Sequence, residues 1–484
     1  MIAKKWRRSL TTLTQPAVPT RQLGALAGVA LLGVSTMLPG QILARNSLLS
    51  GEGSTTIDAQ IKNGTYVIPN TLFGMHINSL PTPWPLAYFA NQRLEGSNVN
   101  WWNLEPSPGD YNYFWLDQWV AQAQQHGVTL MYTFAAVPQF YSSVPSDTTC
   151  SYEPGACHPP KDLNEDGTGT DAAFQNFVTD LVRHNALLGK PIQYWEIWNE
   201  PDQAKQWIPS CVTLNNCKFP LRYTQLLRMA KDASAIIKAA DPNAVVLTPA
   251  PVGYIGGATA WMNGYLKAGG GQYADVISFH GYLNQWIMGR FPVPENEYKL
   301  IQQMKAVVKA NGQSAKPLWV SEGGWGNVVL DGFSDQVLQS AFLSRYILLQ
   351  QSLGIARGYW YQWDSPFGAG TLWQGPMAGN INLSGYAYNS IVNWTMGATL
   401  TRACSQHKYT DVWVCEYARS SPVGYKAVIA WNPKGNYAYF LPGKFPQYCD
   451  LKGSVVTVKG NKVQVGIWPI LLEDMNLGST ACQQ

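Results

Sequence analysis

The chain has 484 residues, of which 46% are apolar and 13% charged, a composition typical of a compact globular protein that excludes a disordered one. The formal net charge is +4, but six basic residues that precede residue 46 account for it, since without them 28 basic residues face 30 acidic ones. A basic surface for nucleic acid is therefore not expected.

Residues 1–45 have the pattern of an export signal. A basic start is followed by an apolar stretch over 23–40, and Ala44 stands at a suitable cleavage point. Because the apolar stretch is short for a membrane span, we expect a secreted or periplasmic protein. A leader that stays uncleaved and anchors the chain to a membrane is the alternative.

Eight cysteines, an even number, fit the oxidising compartment that an export signal implies. They fall in four pairs that are close in the sequence, namely Cys150 with Cys157, Cys211 with Cys217, Cys404 with Cys415, and Cys449 with Cys482. The sequence does not fix the connectivity. No C-x-x-C spacing occurs, which argues against zinc.

Residues 46–70 form a segment of their own, in which 54–69 (STTIDAQIKNGTYVIP) has the composition of a strand. This segment is a candidate to join a sheet formed by the end of the chain.

Strand-like apolar runs then alternate with helical periodicity over 71–394. The predicted strands are 72–77, 93–101, 128–135, 192–199, 244–251, 275–282, 317–324 and 356–364. Stripes of apolar residues over 116–123, 174–182, 223–237 and 337–349 predict helices between them. Eight strands that alternate with helices predict a closed (β/α)8 TIM barrel, with an open doubly wound sheet as the alternative.

The sequence pattern changes over residues 395–484. Runs such as DVWVCEYA and YKAVIAWN alternate in steps of two and are separated by Gly, Pro and Asn turns. This pattern predicts an antiparallel β-sandwich.

The loop from Asp162 to Gly167 (DLNEDG) begins like a calcium loop, because oxygen-bearing side chains stand at alternate positions. The twelfth position is Ala173, where a calcium loop needs a bidentate acid. We interpret the segment as a structural turn and expect neither a metal nor a cofactor.

Two of the predicted barrel strands end in glutamates, Glu200 and Glu322. A charged residue that closes an apolar strand is costly to desolvate, so two of them indicate function. The ends of barrel strands carry the active site, and paired carboxyl groups of differing pKa are the machinery that cleaves glycosidic bonds. For either glutamate alone, an ordinary loop acid would be the simpler interpretation.

The motif WNEP at 198–201, with a later strand that ends WVSEGG, resembles the signature of the clan A retaining β-glycosidases. The stretches WWNLEPSPGDYNYFWLDQWV and PPKDLNEDGTGTD further resemble glycoside hydrolase family 39 or a close relative. The resemblance implies that Glu200 is the general acid/base and Glu322 the nucleophile. It also implies that Asn199 bonds the 2-hydroxyl of the sugar and that Arg93 keeps the nucleophile ionised.

The resemblance assigns weaker roles to four further residues. His280 and Tyr282 stand where relatives contact the nucleophile or the substrate, and Trp363 matches a tryptophan that floors the sugar site. His76, at the end of the first strand, is a candidate contact. Glu196 lies deeper in its strand than Glu200, and we expect it to pair with a buried base such as Arg93.

The prediction is therefore a retaining β-glycoside hydrolase that acts on a polysaccharide or oligosaccharide. A catalytically silent carbohydrate-binding protein and a transglycosylase on the same scaffold are the alternatives. Tryptophans in or near the predicted loops, among them Trp102, are candidates for sugar subsites, with packing as the simpler interpretation. The sequence leaves open whether the long loops 136–169 and 201–221 enclose a pocket or line an open cleft.

Overall fold

The computed structural model describes residues 52–208, 223–252, 257–283, 293–325, 335–364, 370–373, 381–475 and 482. The leader 1–45 and the Cys211–Cys217 pair lie outside these residues. The structure settles the connectivity of the six other cysteines, which form the disulfides Cys150–Cys157, Cys404–Cys415 and Cys449–Cys482.

The first described segment is a helix, α1 (Ser54–Lys62), followed by a short strand, β1 (Tyr66–Val67). The prediction of a strand was wrong over α1. Its β-branched residues suggested a strand, but Ile57 and Ile61 are four positions apart and lie on one face of a helix, where Ile57 is buried. β1 pairs antiparallel with Thr399 and Leu400 of the C-terminal sheet.

Eight parallel strands form the next part of the chain. Its elements are β2 (Phe73–His76), β3 (Asn91–Leu94), α2 (Trp101–Leu104), α3 (Phe114–His126), β4 (Thr129–Thr133), α4 (Ala172–Leu187), β5 (Ile192–Glu196), α5 (Thr224–Ala240), β6 (Val245–Leu247), α6 (Gly257–Lys267), β7 (Ile277–His280), α7 (Glu297–Ala310), β8 (Leu318–Gly323), α8 (Gln336–Ser352), β9 (Ile355–Trp360) and α9 (Leu383–Thr395).

These strands close into a barrel. Consecutive strands pair within the series β2 to β6 and within the series β7 to β9, and β9 pairs with β2. A parallel bridge between Leu247 of β6 and Val276, next to β7, joins the two remaining edges. The predicted (β/α)8 barrel is confirmed, and the open sheet is excluded.

β3 is shorter than predicted and begins earlier. The predicted strand ran over 93–101, but the chain leaves the sheet after Leu94. Gly96, Ser97 and Asn98 all have positive φ, a turn that β structure does not allow, and α2 follows directly. Arg93 and Glu95 therefore lie at the carboxyl end of the strand, at the barrel mouth.

The C-terminal part of the chain is antiparallel. Its strands are β10 (Thr399–Gln406), β11 (Trp413–Ala418), β12 (Lys426–Trp431), β13 (Tyr437–Phe440), β14 (Gln447–Cys449), β15 (Val455–Thr457), β16 (Lys462–Val465) and β17 (Ile470–Glu473). One sheet has the order β1-β10-β11-β12-β17-β14-β15, and β13 pairs with β16. Apolar side chains of β12, β16 and β17 pack between the two sheets.

Helix α8 joins the barrel to this C-terminal sheet. From Gln339 to Ser352 it is buried all round, as a helix between two layers must be. Two of its polar side chains bond the sheet: Gln351 Oε1 accepts from the Tyr417 hydroxyl at 2.9 Å, and Ser352 Oγ accepts from the Cys404 N–H at 2.7 Å. The sheet therefore supports the side of the barrel formed by α8.

A buried ion pair fixes the same junction. Glu295 accepts from Arg345 Nη1 of α8 at 3.1 Å and from the Trp431 indole N–H of β12 at 2.8 Å. Both charged side chains are at most 10% exposed. None of the helices in the described part of the chain has the length and apolar character of a membrane span.

Replacing Glu295 with Ala should lower the melting temperature by several degrees, because Arg345 would stay buried without its partner at a cost of about 3–5 kcal/mol. Differential scanning fluorimetry measures this. Glu416→Ala is the matched control, since Glu416 pairs with Arg402 in solvent, at 40% and 62% side-chain exposure, where such pairs contribute about 0–1 kcal/mol. Equal shifts for the two variants would contradict the prediction.

Candidate active site

The predicted glutamates converge at the mouth of the barrel. Glu200 follows β5, Glu322 lies in β8, and His280 ends β7 between them. One carboxylate oxygen of Glu200, one of Glu322 and a ring nitrogen of His280 lie within 4.8 Å of one another. Side chains 122 positions apart in the sequence thus share one site.

Arg93 is fully buried and bonds several side chains of this site. Its Nη1 donates to Glu322 Oε2 at 2.6 Å, and its Nη2 donates to Glu196 Oε2 at 2.9 Å and to Asn199 Oδ1 at 2.8 Å. The predicted pairing of Glu196 with Arg93 is confirmed, and Thr133 donates a further bond to the same Glu196 oxygen at 3.0 Å. Glu196 is therefore a structural counter-ion of the arginine.

His280 has a defined tautomer. Arg93 Nη2 lies 3.3 Å from its Nε2 and can only donate, so Nε2 accepts. Burial lowers the pKa of His280, which keeps the ring neutral with its proton on Nδ1. Nδ1 then donates to Glu200 Oε1 at 2.9 Å, which fixes the orientation of that carboxyl group.

Glu200 has a strained backbone and a weakly acidic carboxyl group. Its φ of 42° lies in the left-handed region, which a non-glycine residue adopts at a cost, and strain of this kind concentrates at functional sites. Its N–H donates to the Ala250 carbonyl at 3.0 Å, which fixes the turn. Burial, with a contribution from the charge of Asp202, raises the pKa of Glu200 to about 8.

Glu322 has different surroundings. Burial raises its pKa too, but the charge of Arg93 acts in the opposite direction. Arg93 donates to one of its oxygens, and the Tyr282 hydroxyl donates to the other at 2.7 Å. Hydrogen bonds and a cation favour the ionised form. The geometry thus favours a protonated Glu200 opposite an ionised Glu322.

Asn199 lies beside the two glutamates. Its N–H donates to the Phe134 carbonyl at 3.0 Å, and its Oδ1 accepts from Arg93. Its amide nitrogen makes no hydrogen bond to any residue that the structure describes. Within the described ranges, the amide N–H2 thus remains a donor for a ligand.

Two other predicted site residues, His76 and Trp363, are buried. His76 is buried, its ring centroid is 4.8 Å from that of Tyr361, and burial holds its pKa well below the ordinary value. Trp363 is also fully buried, with its indole N–H on the Pro83 carbonyl at 3.1 Å. The structure does not bring Trp363 to the open side of the site, where a floor for a sugar would need an exposed face.

Sequence reasoning missed a third carboxyl group at the mouth, Glu95. It lies two residues beyond Arg93 and is buried, and it accepts a hydrogen bond from the Tyr152 hydroxyl. Burial raises the pKa of Glu95, with the charge of Glu200 adding to the effect. The step of two from Arg93 was the available signal, because alternate residues of a strand share a face. No sequence signal pointed to Tyr152.

The candidate tryptophans divide into two groups. Trp101, Trp207 and Trp325 are buried, so packing explains them. Trp84, Trp102 and Trp373 are partly exposed, while Trp286 lies outside the described residues. Trp84 stacks on His126 with ring centroids 4.2 Å apart. Only the partly exposed members retain a face for a ligand.

Glu200, His280 and Glu322 each offer a ligand atom within 4.8 Å of the others, but Arg93 lies against two of them and its charge would repel a cation. In the loop that resembles a calcium site, Arg228 takes the place of a cation and donates to the carbonyls of Gly167 and Gly169.

The barrel and its paired glutamates are those of a glycoside hydrolase. The family model described as Cellulase (glycosyl hydrolase family 5) matches residues 117–365, just over half of the chain. The chain therefore belongs to this family and is a glycoside hydrolase. No curated protein matches the sequence.

Solved structures share the fold at low identity. A family 39 glycoside hydrolase from Bacteroides cellulosilyticus matches with a TM-score of 0.57 and 18% identity, over 87% of this chain and 77% of its own. A glucosidase from Croceicoccus marinus matches with a TM-score of 0.53 and 15% identity, over 84% of this chain and 96% of its own. A family 30 endoxylanase from Clostridium papyrosolvens matches with a TM-score of 0.53 and 12% identity, over 84% of this chain and 97% of its own. The predicted resemblance to the clan is confirmed.

The raised pKa of Glu200 predicts a pH-dependent cost to stability. Its pKa of about 8 lies above the ordinary 4.5, so the folded chain keeps a proton that the unfolded chain loses, and stability falls as pH rises through this window. Glu200→Gln removes the cost. Its melting temperature should exceed that of the wild type at pH 8.5, with the difference shrinking at pH 5.

The control for this experiment is Glu416→Gln, which changes an exposed carboxyl group in the same way. It should follow the wild type at both pH values. If the melting temperatures of Glu200→Gln and the wild type differ by the same amount at pH 5 and pH 8.5, ionisation of Glu200 does not destabilise the fold, which contradicts the prediction.

Proposed function

We propose that this glycoside hydrolase cleaves β-glycosidic bonds of a polysaccharide or oligosaccharide with retention, through a covalent glycosyl-enzyme intermediate. The observation that carries the proposal is the approach of Glu200 and Glu322 oxygens to within 4.8 Å. Retaining enzymes hold their carboxyl groups about 5–5.5 Å apart, whereas inverting enzymes need about 6.5–9.5 Å to admit a water molecule.

In the first step Glu200 acts as the general acid. It transfers its proton to the glycosidic oxygen while a carboxylate oxygen of Glu322 attacks the anomeric carbon, so that the carbon–oxygen bond to the leaving group breaks and a glycosyl ester forms. A pKa of about 8 keeps Glu200 protonated at neutral pH. Arg93 and Tyr282 hold Glu322 ionised and aimed.

In the second step the same groups work in reverse. The Glu200 carboxylate takes a proton from water, the hydroxide attacks the anomeric carbon, and Glu322 leaves as the carboxylate. His280 keeps the Glu200 carboxyl group in place through its Nδ1–H. Departure of the neutral aglycone before water enters allows one residue to serve as acid and then as base.

Asn199 is proposed to bind the 2-hydroxyl of the sugar whose bond is cleaved. Arg93 holds the amide oxygen, which leaves the amide nitrogen to donate. A hydrogen bond to this hydroxyl strengthens as positive charge develops on the sugar ring, and so it lowers the barrier to reaction.

The export pattern of the leader and the three disulfides support a secreted or periplasmic location. The names of the family and of the structural relatives, a cellulase, a glucosidase and an endoxylanase, suggest β-glucans and xylans as the first substrates to screen.

The two glutamates can be told apart by azide rescue on an active 2,4-dinitrophenyl β-glycoside. Glu200→Ala should slow turnover by about 10²–10⁴-fold, and azide should restore it with formation of the β-glycosyl azide. Glu322→Ala should lose about 10⁴-fold or more, and azide should give the α-product. Nuclear magnetic resonance identifies the products, and a β-azide from Glu322→Ala would refute the assignment.

Wild-type kcat/KM should fall as pH rises through about 8, because the free enzyme then loses the proton that Glu200 must donate. The wild-type pH–rate profile is measured on a phenyl β-glycoside, whose poor leaving group requires the acid. Glu200→Ala should lack this alkaline limb with the dinitrophenyl leaving group, which needs no acid. An unchanged wild-type profile up to pH 10 would contradict the role of Glu200.

A further inference from the structure

A groove of about 570 Å³ opens among the loops at the carboxyl ends of β3 and β4. Trp102 and Asn103 of α2 line one side, and Gln139 and Phe140, which follow β4, line another, together with Glu153. Its volume falls within the range of about 300–1,000 Å³ that small-molecule sites occupy. None of these residues belongs to the catalytic group around Arg93.

The chemistry of the groove suits a sugar ring. Trp102 packs against a patch of alanines that includes Ala135 and Ala156, and the rest of its side chain is partly exposed. Phe140 is partly exposed as well, and Asn103 and Glu153 place an amide and a carboxylate at the edge. Sugars have apolar faces and polar rims, which match aromatic faces bordered by polar groups.

One polar group of the groove has no partner. The Trp102 indole nitrogen is buried and makes no hydrogen bond among the described residues. Buried N–H groups are nearly always paired, so this donor calls for an acceptor from a ligand or from water. A sugar hydroxyl or ring oxygen would serve.

The loop closed by Cys150–Cys157 connects the groove to the catalytic mouth. Tyr152 reaches Glu95, whose pKa responds to the charge of Glu200. The next residue, Glu153, lines the groove and accepts from the Gln139 N–H at 2.6 Å. Consecutive residues of one loop thus face the two sites.

Tyr152 itself is accessible to a ligand. Its side chain stands on a backbone with φ of 71° and is 43% exposed, although its hydroxyl is bonded to Glu95. A ring so placed has a face that a ligand can contact. The loop thus carries one side chain that reaches Glu95 and, next to it, one that lines the groove.

We propose that this groove is a distal subsite, which binds a sugar unit of the same chain whose bond Glu200 and Glu322 cleave, with Tyr152 as a further contact. The inference rests on the proposed function and narrows it, because an enzyme with such a subsite acts on chains of several units. The 150–157 loop then contributes to the choice of substrate.

The test is affinity gel electrophoresis in gels that contain xylan, barley β-glucan, xyloglucan or carboxymethylcellulose. Glu322→Gln serves as the parent, so that the polysaccharide is not degraded during the run. We expect at least one polysaccharide to retard the parent, and Trp102→Ala or Phe140→Ala in that background to weaken the apparent affinity by about tenfold. Tyr152→Phe should weaken it less, because the aromatic face remains.

Trp115→Ala is the matched control, since Trp115 lies on α3 outside the groove and is 42% exposed. It should migrate like the parent. Melting temperatures verify folding. If Trp102→Ala has a lowered melting temperature, the conclusion is drawn from Phe140→Ser instead, which alters the same groove. Groove variants that bind as tightly as the parent would overturn the subsite, as would failure of all four polysaccharides to retard the parent.

These outcomes separate the subsite from the proposed function. If the wild type hydrolyses aryl β-glycosides with retention while the groove variants bind polysaccharide normally, the catalytic proposal stands and the subsite is refuted. If the groove variants lose binding but the wild type shows no hydrolysis, the subsite stands and the catalytic proposal is refuted.

Discussion

The buried guanidinium of Arg93 organises the whole active site. It contacts a counter-ion in Glu196, the nucleophile candidate in Glu322, the amide of Asn199 and the ring of His280. A buried charge of this kind is tolerated only when its donors are satisfied, and here Glu196 and Glu322 compensate the charge while Asn199 accepts a further hydrogen bond. The barrel brings these partners, from β5, β7 and β8 and the turn after β5, around one cation on β3.

This arrangement gives two chemically identical side chains different surroundings, and the roles proposed for them follow from that difference. Both glutamates are shielded from water, which raises the pKa of each. Only Glu322 receives direct bonds from a guanidinium and a phenol, whereas Glu200 receives one bond from a neutral imidazole. The proposed division into acid and nucleophile therefore rests on the neighbours that the fold supplies, which is how paired carboxyl groups divide acid and base work in general.

Some of this was readable in the sequence. WNEP and the later WVSEGG stood at the ends of strands whose apolar runs were unmistakable, so Glu200 and Glu322 could be assigned to one rim of a barrel. The helix α1 was misread because its β-branched residues outweighed a weak four-residue spacing. The resemblance places Trp363 at the floor of the sugar site, and the structure buries it with its indole N–H on the Pro83 carbonyl, a contact between segments distant in sequence.

The sequence by itself determined the class of fold and the two carboxyl groups, because strand and helix periodicity and the polarity of strand ends are local properties. Tertiary structure alone decided the spacing of those groups, the tautomer of His280 and the place of Glu95 beside Tyr152. Each depends on contacts between residues far apart along the chain, whose directions no local pattern encodes. The same holds for the groove at Trp102, since a cavity exists only where separate loops fail to fill the space between them.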